Sequence, residues 1–257
     1  MVKPFLSKLN FLLGRNPKIE EDNLIRKFVP EDFKAVLLID ADFELAWAWQ
    51  YSKSFINPVS EAKNLAIRER ENIPEILDLC VKYNIPVTWA TVGHLFLEAC
   101  TCVKNRAHIE LPRLSNFENK YWVFSGSDWF ENDPCSDYIH EPCWYAPDLI
   151  RMILASNVKH EIGCHTFSHI DCRDEICPHE LLAAELKECK KLANRFGLEL
   201  KSFVHPGHTI GNLDILKEEG FTNFRTDYNN ILGFPFRHKN GLWEFKQTTE
   251  IVYRKEW

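Results

Sequence analysis

The sequence predicts an α/β protein whose strands are mostly parallel, and two observations lead to this prediction. Strand-like and helix-like segments alternate along the chain, a pattern that is typical of βαβ units. The runs AVLLID (35–40) and VTWATV (87–92) are nearly continuous in apolar residues, as strands buried on both faces of a sheet are. A distorted (β/α) barrel is the expected fold, and an open doubly wound sheet is the alternative.

The remaining segments continue the alternation. One helix is expected to stop near Asn84, a second to cover 145–157 with Pro147 in its first turn, and a third to run from Pro178 to Gly197. Further strands are expected at HEIGCH (160–165), KSFVH (201–205), NFRTD (223–227) and LWEF (242–245). The Trp- and Pro-rich region around 100–144 shows no period, so it is predicted to be a loop-rich insertion that walls the active site.

Composition limits the classes of function. With 257 residues, 45% hydrophobic and 26% charged, the chain is expected to form one folded domain over 33–257, after a lead-in segment at 1–32. A formal net charge of −6 argues against a nucleic-acid partner. No apolar run approaches the roughly 18–20 residues that a transmembrane helix needs. Nine cysteines without a CxxC pair favour reduced thiols and a cytoplasmic location.

Candidate metal ligands follow two of the predicted strands. His165 and His169 lie four residues apart in EIGCHTFSHIDC, and Asp40 and Asp42 lie two apart at the end of the first predicted strand. The carboxyl ends of parallel strands meet at one edge of a sheet, where active sites gather. Two imidazoles and one carboxylate would leave positions open for water on a zinc-like ion, and the other aspartate could act as a base.

With these residues assembled, the chain resembles the polysaccharide deacetylase family, the NodB-homology domain of carbohydrate esterase family 4, from about Lys34 onward. HTFSH (165–169) fits the His-[Ser/Thr]-x-x-His motif of that family. SFVHPGH (202–208) lies where a third, Pro-containing motif belongs, and VTWATVGH (87–94) matches the strand between the first two motifs.

The resemblance implies a distorted (β/α) barrel of the polysaccharide deacetylase type that removes acetyl groups from amino sugars. It implies that Asp40 is the catalytic base and that Asp42, His165 and His169 bind one divalent ion. Zinc is the expected ion, with cobalt or another divalent ion as the alternative. Residues expected to line the substrate pocket are Trp47, whose ring could stack on a sugar, and His205, Pro206 and His208.

Three features depart from the family pattern. Asp-Ala-Asp replaces the usual Asp-Asp, and FVHPGH lacks the Arg that orients the base, for which Arg225 is a possible substitute. The family's general acid is a His in a Leu-x-x-His motif, and the C-terminal EIVYRKEW contains no His. The alternatives are a chain cut short, another acid such as His208, or impaired protonation of the leaving group.

The function predicted from the sequence is therefore a metal-dependent carbohydrate deacetylase with a carbohydrate substrate. Two alternatives stay open: a related C–N hydrolase acting on a small cyclic amide or imide, and a non-catalytic carbohydrate-binding relative without the acid. Four other histidines are expected to be structural or solvent-facing: His94, His108, His140 and His179.

Overall fold

The structure, a computed structural model, describes residues 36–226 and 235–247 of the chain. Leu38–Phe221 forms one compact unit, and the described parts of Met1–Leu37 and Thr222–Trp257 belong to a second. The division into a lead-in at 1–32 and a domain at 33–257 stays a prediction. Helices in the described residues are α1 (Pro58–Tyr83), α2 (Pro147–Leu154), α3 (His179–Asn194) and α4 (Leu213–Glu218).

Parallel strands form the sheet of the larger unit. The strands are β1 (Asp40–Phe43), β2 (Thr88–Thr91), β5 (Glu161–Cys164) and β6 (Ser202–Val204), which pair in that order. A helix separates each strand from the next along the chain, as crossovers between parallel strands require. The predicted α/β class is confirmed, and the strands at 87–92, 160–165 and 201–205 are confirmed to within one residue at each end.

The first strand differs from its prediction. Residues 36–39 have no regular structure, and Val36, Leu37 and Leu38 are exposed at 61%, 80% and 61%. The strand instead begins at Asp40 and ends at Phe43. An apolar run predicts burial only if another element covers it, and none covers this one within the described residues. The carboxyl end of the first strand is therefore at Phe43, not at Asp40.

Helix α1 ends where the sequence predicted. Its C-cap residue Asn84 adopts a left-handed conformation, with φ 52° and ψ 48°, and donates its N–H to the carbonyls of Cys80 and Val81. Asparagine adopts this conformation more readily than most other residues except glycine. Helices α2 and α3 lie inside the ranges predicted for them.

Replacing Asn84 with alanine is expected to lower the free energy of unfolding by about 1 kcal/mol, because alanine adopts the left-handed conformation less readily than asparagine does. Asn84→Gly is the matched control and should be at least as stable as the wild type, since glycine adopts this conformation freely. Urea denaturation of the three proteins measures the difference. Equal losses in both variants would show that the Asn side chain, not the backbone conformation, matters.

The region predicted as a loop-rich insertion is confirmed. Between the 3₁₀ helix Gly93–Phe96 and α2, its strands are only the two-residue β3 (Phe117–Glu118) and β4 (Val123–Phe124), which pair antiparallel. Its interior is aromatic: Trp129 is 2% exposed and donates its Nε1–H to the Ser168 carbonyl at 3.1 Å. The insertion therefore packs against the HTFSH segment, as a wall of the site would.

A disulfide joins Cys102 to Cys135 within this insertion, so the prediction that the thiols are reduced is wrong for this pair. The other seven cysteines are free thiols. Closing a loop of this length, a sequence separation of 33, stabilises the folded chain by roughly 3–4 kcal/mol in the chain-entropy model. Disulfides persist mainly in oxidising compartments, so this one does not support the predicted cytoplasmic location.

The smaller unit contains three short strands among its described residues. β7 (Asn223–Thr226) pairs parallel with β9 (Trp243–Lys246), and β8 (Phe236–Arg237) pairs antiparallel with β9. The predicted strand at 242–245 is confirmed with a shift of one residue. The one at 223–227 is confirmed for Asn223–Thr226, and residue 227 lies outside the described residues. None of the described helices has both the length and the apolar character needed to cross a membrane.

Candidate metal centre

The carboxyl ends of β1 and β5 lie at the same level of the sheet. Phe43 pairs with Thr91, and Thr91 pairs with Cys164, so the residues that follow these strand ends leave the same edge. Those residues are Glu44 after β1 and His165 after β5. The register therefore selects Glu44, a residue that the sequence analysis did not single out.

Glu44, His165 and His169 form a cluster whose ligand atoms lie close together, and we call it the first cluster. The Glu44 Oε2 atom lies 3.1 Å from His165 Nε2 and 2.9 Å from His169 Nε2. Both imidazoles are buried, and 16% of the Glu44 side chain is exposed. Two imidazoles and one carboxylate are the ligand set of a catalytic zinc-type site, in which further positions stay open for water.

Two details of the imidazoles fit a divalent ion. His165 Nδ1 lies 2.8 Å from the Val204 carbonyl, which can only accept, so Nδ1 carries the proton and the Nε2 lone pair of a neutral ring faces Glu44. His169 Nε2 is buried and makes no hydrogen bond within the described part of the chain, although a carboxylate oxygen is 2.9 Å away. A buried polar atom of this kind is explained by a cation between the three groups.

The electrostatics of the first cluster favour the forms that bind metal. Burial lowers the pKa of His169, against the negative charges of Glu44 and Asp42, so the imidazole tends to be neutral. Burial acts to raise the pKa of Glu44, but the two histidines outweigh it and hold that pKa well below its usual range. An ionised carboxylate and neutral imidazoles are the forms that ligate a divalent ion.

Glu69 of α1 holds Glu44 in place. Its carboxylate accepts the backbone N–H of Glu44 at 3.3 Å and that of Leu45 at 3.0 Å. These contacts stabilise the turn that follows β1, where Leu45 has a left-handed φ of 48° and is fully buried. Burial, together with the charge of Glu44, raises the pKa of Glu69 to about 8.

Glu185 of α3 holds the loop 165–169, which we call the histidine loop. Its Oε2 accepts the N–H groups of Phe167 and Ser168 at 2.8 Å each, and its Oε1 accepts the Ser168 hydroxyl at 2.8 Å. Thr166 and His169 both have a left-handed φ of 59°, a conformation that costs energy for residues with a Cβ. The buried carboxylate therefore stabilises a strained loop that carries both imidazoles.

The structure places the two predicted aspartates further from the strand end. Asp42 is level with Ala90, and Asp40 is level with Thr88. At a rise of roughly 3.3 Å per residue, Asp42 lies about 7 Å behind Glu44 along the strand, and Asp40 about 13 Å behind it. Both are exposed. Burial has the largest effect on the pKa values of His169 and Glu69: it lowers that of His169 and raises that of Glu69. The negative charge of Asp42 makes a smaller contribution, which raises both pKa values.

The four residues predicted for the substrate pocket differ in exposure. Trp47 is 1% exposed and donates its Nε1–H to the Trp144 carbonyl at 3.2 Å, so its ring belongs to the core and offers no face to a sugar. His205 is also 1% exposed, with Nε2 3.0 Å from the Gly211 carbonyl, and Pro206 is buried. His208 is half-buried, which leaves it accessible.

The loop that carries His208 comes close to the first cluster through Trp122. The Trp122 ring centroid is 5.1 Å from that of His169, and a Cβ built on Gly207 would lie 2.5 Å from the same Trp122 ring. Gly207 also has a left-handed φ of 53°. Glycine is therefore required at this position by both the contact and the backbone conformation.

Comparison with known proteins identifies the class. A sequence model described as polysaccharide deacetylase matches residues 64–223, which include both histidines but not the carboxylates of β1. This match covers more than half of the chain. The chain belongs to the polysaccharide deacetylase family. A search of curated proteins found no match.

Solved structures are similar in fold. A polysaccharide deacetylase of Mycobacterium smegmatis is 13% identical, with a TM-score of 0.51 over 82% of this chain and 57% of its own length. A structure named PuuE allantoinase is 14% identical, with a TM-score of 0.53 over 93% and 67%. A polysaccharide deacetylase of Pseudomonas aeruginosa PAO1 is 12% identical, with a TM-score of 0.50 over 83% and 61%. This chain thus spans about three fifths of the two deacetylases, and the predicted fold type is confirmed.

Proposed function

We propose that this protein is a metal-dependent hydrolase that removes acetyl groups from an amino sugar within a polysaccharide or oligosaccharide. The observation that carries the proposal is the first cluster, in which one carboxylate and two imidazole nitrogens converge at the carboxyl ends of parallel strands. Membership of the polysaccharide deacetylase family supports the reaction class. Zinc is the proposed ion, because imidazole and carboxylate ligands in this number suit it.

We further propose that the ion is held by Glu44, His165 and His169. The carboxylate ligand is then Glu44, the residue just after β1, and not the predicted Asp42. A bound ion of this class lowers the pKa of a water molecule and polarises a carbonyl oxygen. Val204 fixes the tautomer of His165, and Glu69 fixes the backbone of Glu44. These contacts hold Glu44 and His165 in place before any substrate arrives.

Asp42 is the proposed general base. It is exposed and lies on the same side of the extended strand as Glu44, and its charge acts on His169. A carboxylate beside the ligand set can take a proton from the attacking water. Asp40 lies two residues further back and is too distant for this role in the present register.

His208 is the proposed proton donor to the leaving amine. Amide hydrolysis requires that the nitrogen be protonated as the C–N bond breaks. His208 is the one accessible residue of the predicted pocket group, and its loop contacts the ring that packs on His169. The half-buried position gives the imidazole access to a substrate while the buried His205 and Pro206 anchor the loop.

A second candidate is hydrolysis of a small cyclic amide. The likeness to the structure named allantoinase covers 93% of this chain. At 14% identity that likeness shows the fold only, so it selects an additional substrate for the assay and does not displace the deacetylase proposal.

The assay that tests the proposed function measures acetate released from an N-acetylated chitooligosaccharide by the zinc-loaded protein. Release is expected to stop after chelation, to return when zinc is added, and to fall to background in His165→Ala/His169→Ala. Hydrolysis of allantoin without release of acetate would favour the cyclic-amide candidate. Metal binding with hydrolysis of neither substrate would favour the non-catalytic carbohydrate-binding alternative.

A further inference from the structure

A second cluster of metal-ligating side chains lies apart from the first. It consists of His94, Cys100, His108 and Asp133, and each offers one ligand atom within 4.8 Å of the others. His94 belongs to the 3₁₀ helix that follows β2, and the other three belong to the loops that follow it. The proposed deacetylation uses none of them. His94 and Asp133 are buried, and the other two are partly buried.

The two imidazoles of this second cluster face each other across a carboxylate oxygen. His94 Nε2 lies 3.1 Å from His108 Nε2, and these nitrogens lie 2.9 Å and 3.0 Å from Asp133 Oδ2. His94 Nδ1 lies 3.1 Å from the Trp144 carbonyl, so Nδ1 carries the proton and the Nε2 lone pair of a neutral ring points into the cluster. A cation bound between the three atoms satisfies all of them at once.

The two carboxylate oxygens of Asp133 have different partners. Oδ1 accepts the Cys135 N–H at 2.9 Å and the Tyr145 hydroxyl at 3.1 Å, while Oδ2 faces the imidazoles. Metal ligands are commonly oriented in this way, with hydrogen bonds to the atom that does not bind the ion. The arrangement therefore presents one oxygen to a shared ion.

The spacing of the ligand atoms suits tetrahedral coordination. Bond lengths of roughly 2.0–2.1 Å to nitrogen or oxygen and 2.3 Å to sulfur imply ligand separations of about 3.3 Å and about 3.6 Å respectively. The nitrogen and oxygen atoms here are separated by 2.9–3.1 Å. Cys100 Sγ lies 3.3 Å and 3.6 Å from the two Asp133 oxygens. Expansion of the nitrogen and oxygen separations towards about 3.3 Å would accommodate an ion between these three atoms.

Two neighbouring features complete such a site. The Cys102–Cys135 disulfide lies two residues from Cys100 and two from Asp133, so it ties together the two segments that carry these ligands. A cavity of about 250 Å³ is lined by Cys100 and His108, and it provides a route by which an ion can reach the cluster from solvent.

We propose that His94, Cys100, His108 and Asp133 bind a second divalent ion of the zinc class, with four protein ligands and a structural role. A thiolate with two imidazoles selects zinc or a similar ion over magnesium or calcium. Four protein ligands fill a tetrahedral site and leave no position for a substrate. The ion would link the insertion to the segment that contains Gly93 and His94. The N–H groups of these two residues donate to carbonyls of the histidine loop, at 2.8 Å and 2.9 Å.

Cobalt titration of the full chain tests this proposal, because cobalt bound to a thiolate gives a charge-transfer absorption that histidine and carboxylate ligands do not. The protein is kept without reductant so that the disulfide stays closed. The wild type is expected to bind two equivalents. His165→Ala/His169→Ala, which removes the first cluster, is expected to bind one equivalent and to keep the thiolate absorption.

Adding Cys100→Ser to this double variant is expected to abolish the absorption and to weaken binding by at least about 100-fold, since loss of outer-shell partners alone costs 10–100-fold. His140→Ala is the matched control, because His140 is an exposed histidine of the same insertion and should change neither readout.

The proposal is overturned if the double variant binds no cobalt, or if the thiolate absorption persists in Cys100→Ser. The first of these outcomes would show that the second cluster is a hydrogen-bonded network without an ion. If Cys100→Ser does not fold, the stoichiometry and spectrum of the double variant decide by themselves. Failure of the acetate assay concerns the first cluster only, so the two proposals can fail independently.

Discussion

Replacing Glu44 with glutamine is expected to remove the divalent ion from the first cluster, because an uncharged amide replaces the carboxylate that contacts both His165 and His169. The variant should contain one equivalent of metal less than the wild type. It should also be inactive, and zinc at concentrations that saturate the wild type should not restore its activity. Metal analysis and acetate release on the same samples measure both.

Asp42→Asn is expected to lose activity without losing the metal ion, unlike Glu44→Gln. The variant should keep the full metal content and lose turnover by roughly 10²–10⁴-fold, the range typical of removing a general base. Asparagine has nearly the same shape as aspartate but cannot accept a proton at neutral pH. Because Asp42 is exposed, the substitution should leave the free energy of unfolding close to that of the wild type.

Asp40→Asn is the matched control on the same strand. Asp40 pairs at the level of Thr88, four residues before Glu44, and its substitution is expected to leave metal content and turnover near the wild-type values. The opposite pattern, with turnover lost in Asp40→Asn and metal lost in Asp42→Asn, would restore the roles implied by the sequence resemblance. It would also contradict the assignment of Glu44 as a ligand.

The second large effect is expected at Glu185. Glu185→Ala should lower the free energy of unfolding by roughly 3–5 kcal/mol, because it leaves the buried N–H groups of Phe167 and Ser168 without an acceptor and opens a cavity. The histidine loop, with its left-handed Thr166 and His169, should lose its shape, and affinity for metal should fall with it.

Glu185→Gln separates hydrogen bonding from charge. Burial raises the pKa of Glu185 from an ordinary value of 4.5 to about 7, against the hydrogen bonds that its carboxylate accepts. The folded protein therefore binds the proton more tightly than the unfolded chain does. The stabilising contribution is complete below about pH 4.5 and is lost as the pH rises through about 7, by about 3 kcal/mol in total.

The difference in unfolding free energy between the wild type and Glu185→Gln should accordingly fall by that amount between pH 4.5 and pH 7.5, since the amide does not titrate. Chemical denaturation at a series of pH values measures it. Glu180→Gln, an exposed carboxylate on the same helix, is the control and should show little dependence. A constant difference for Glu185→Gln across this range would show that its carboxyl group titrates near its ordinary pKa.

Local patterns in the sequence predicted the alternation of strands and helices because each depends on neighbouring residues. The apolar run VTWATV predicted β2, and the alternation of segments predicted β5 and β6. Pro147 and Asn84 marked helix ends by the backbone conformations that they favour. The first strand was misplaced for a physical reason. The run at 36–39 is apolar, but apolar character does not determine which segment another element covers.

The pair His165 and His169 was also predicted from the sequence alone, since HTFSH places two imidazoles within one short loop after a strand. The choice of carboxylate was not. Asp40, Asp42 and Glu44 alternate along one extended segment, so all three point to the same side, and the sequence contains nothing that ranks them. The pairing register of β1 with β2 and β5 ranks them, by bringing Glu44 to the level of His165.

The sequence by itself thus predicted the α/β class, the family and the pairing of His165 with His169 in one loop, because motifs and periodicities are properties of contiguous residues. Tertiary structure alone decided which groups meet across long separations. His94 and Asp133 lie 39 residues apart, and Glu185 lies 17 residues from Ser168, in segments that no local pattern connects. Their contacts depend on where the folded insertion and α3 pack, and packing of distant segments is set by the whole core.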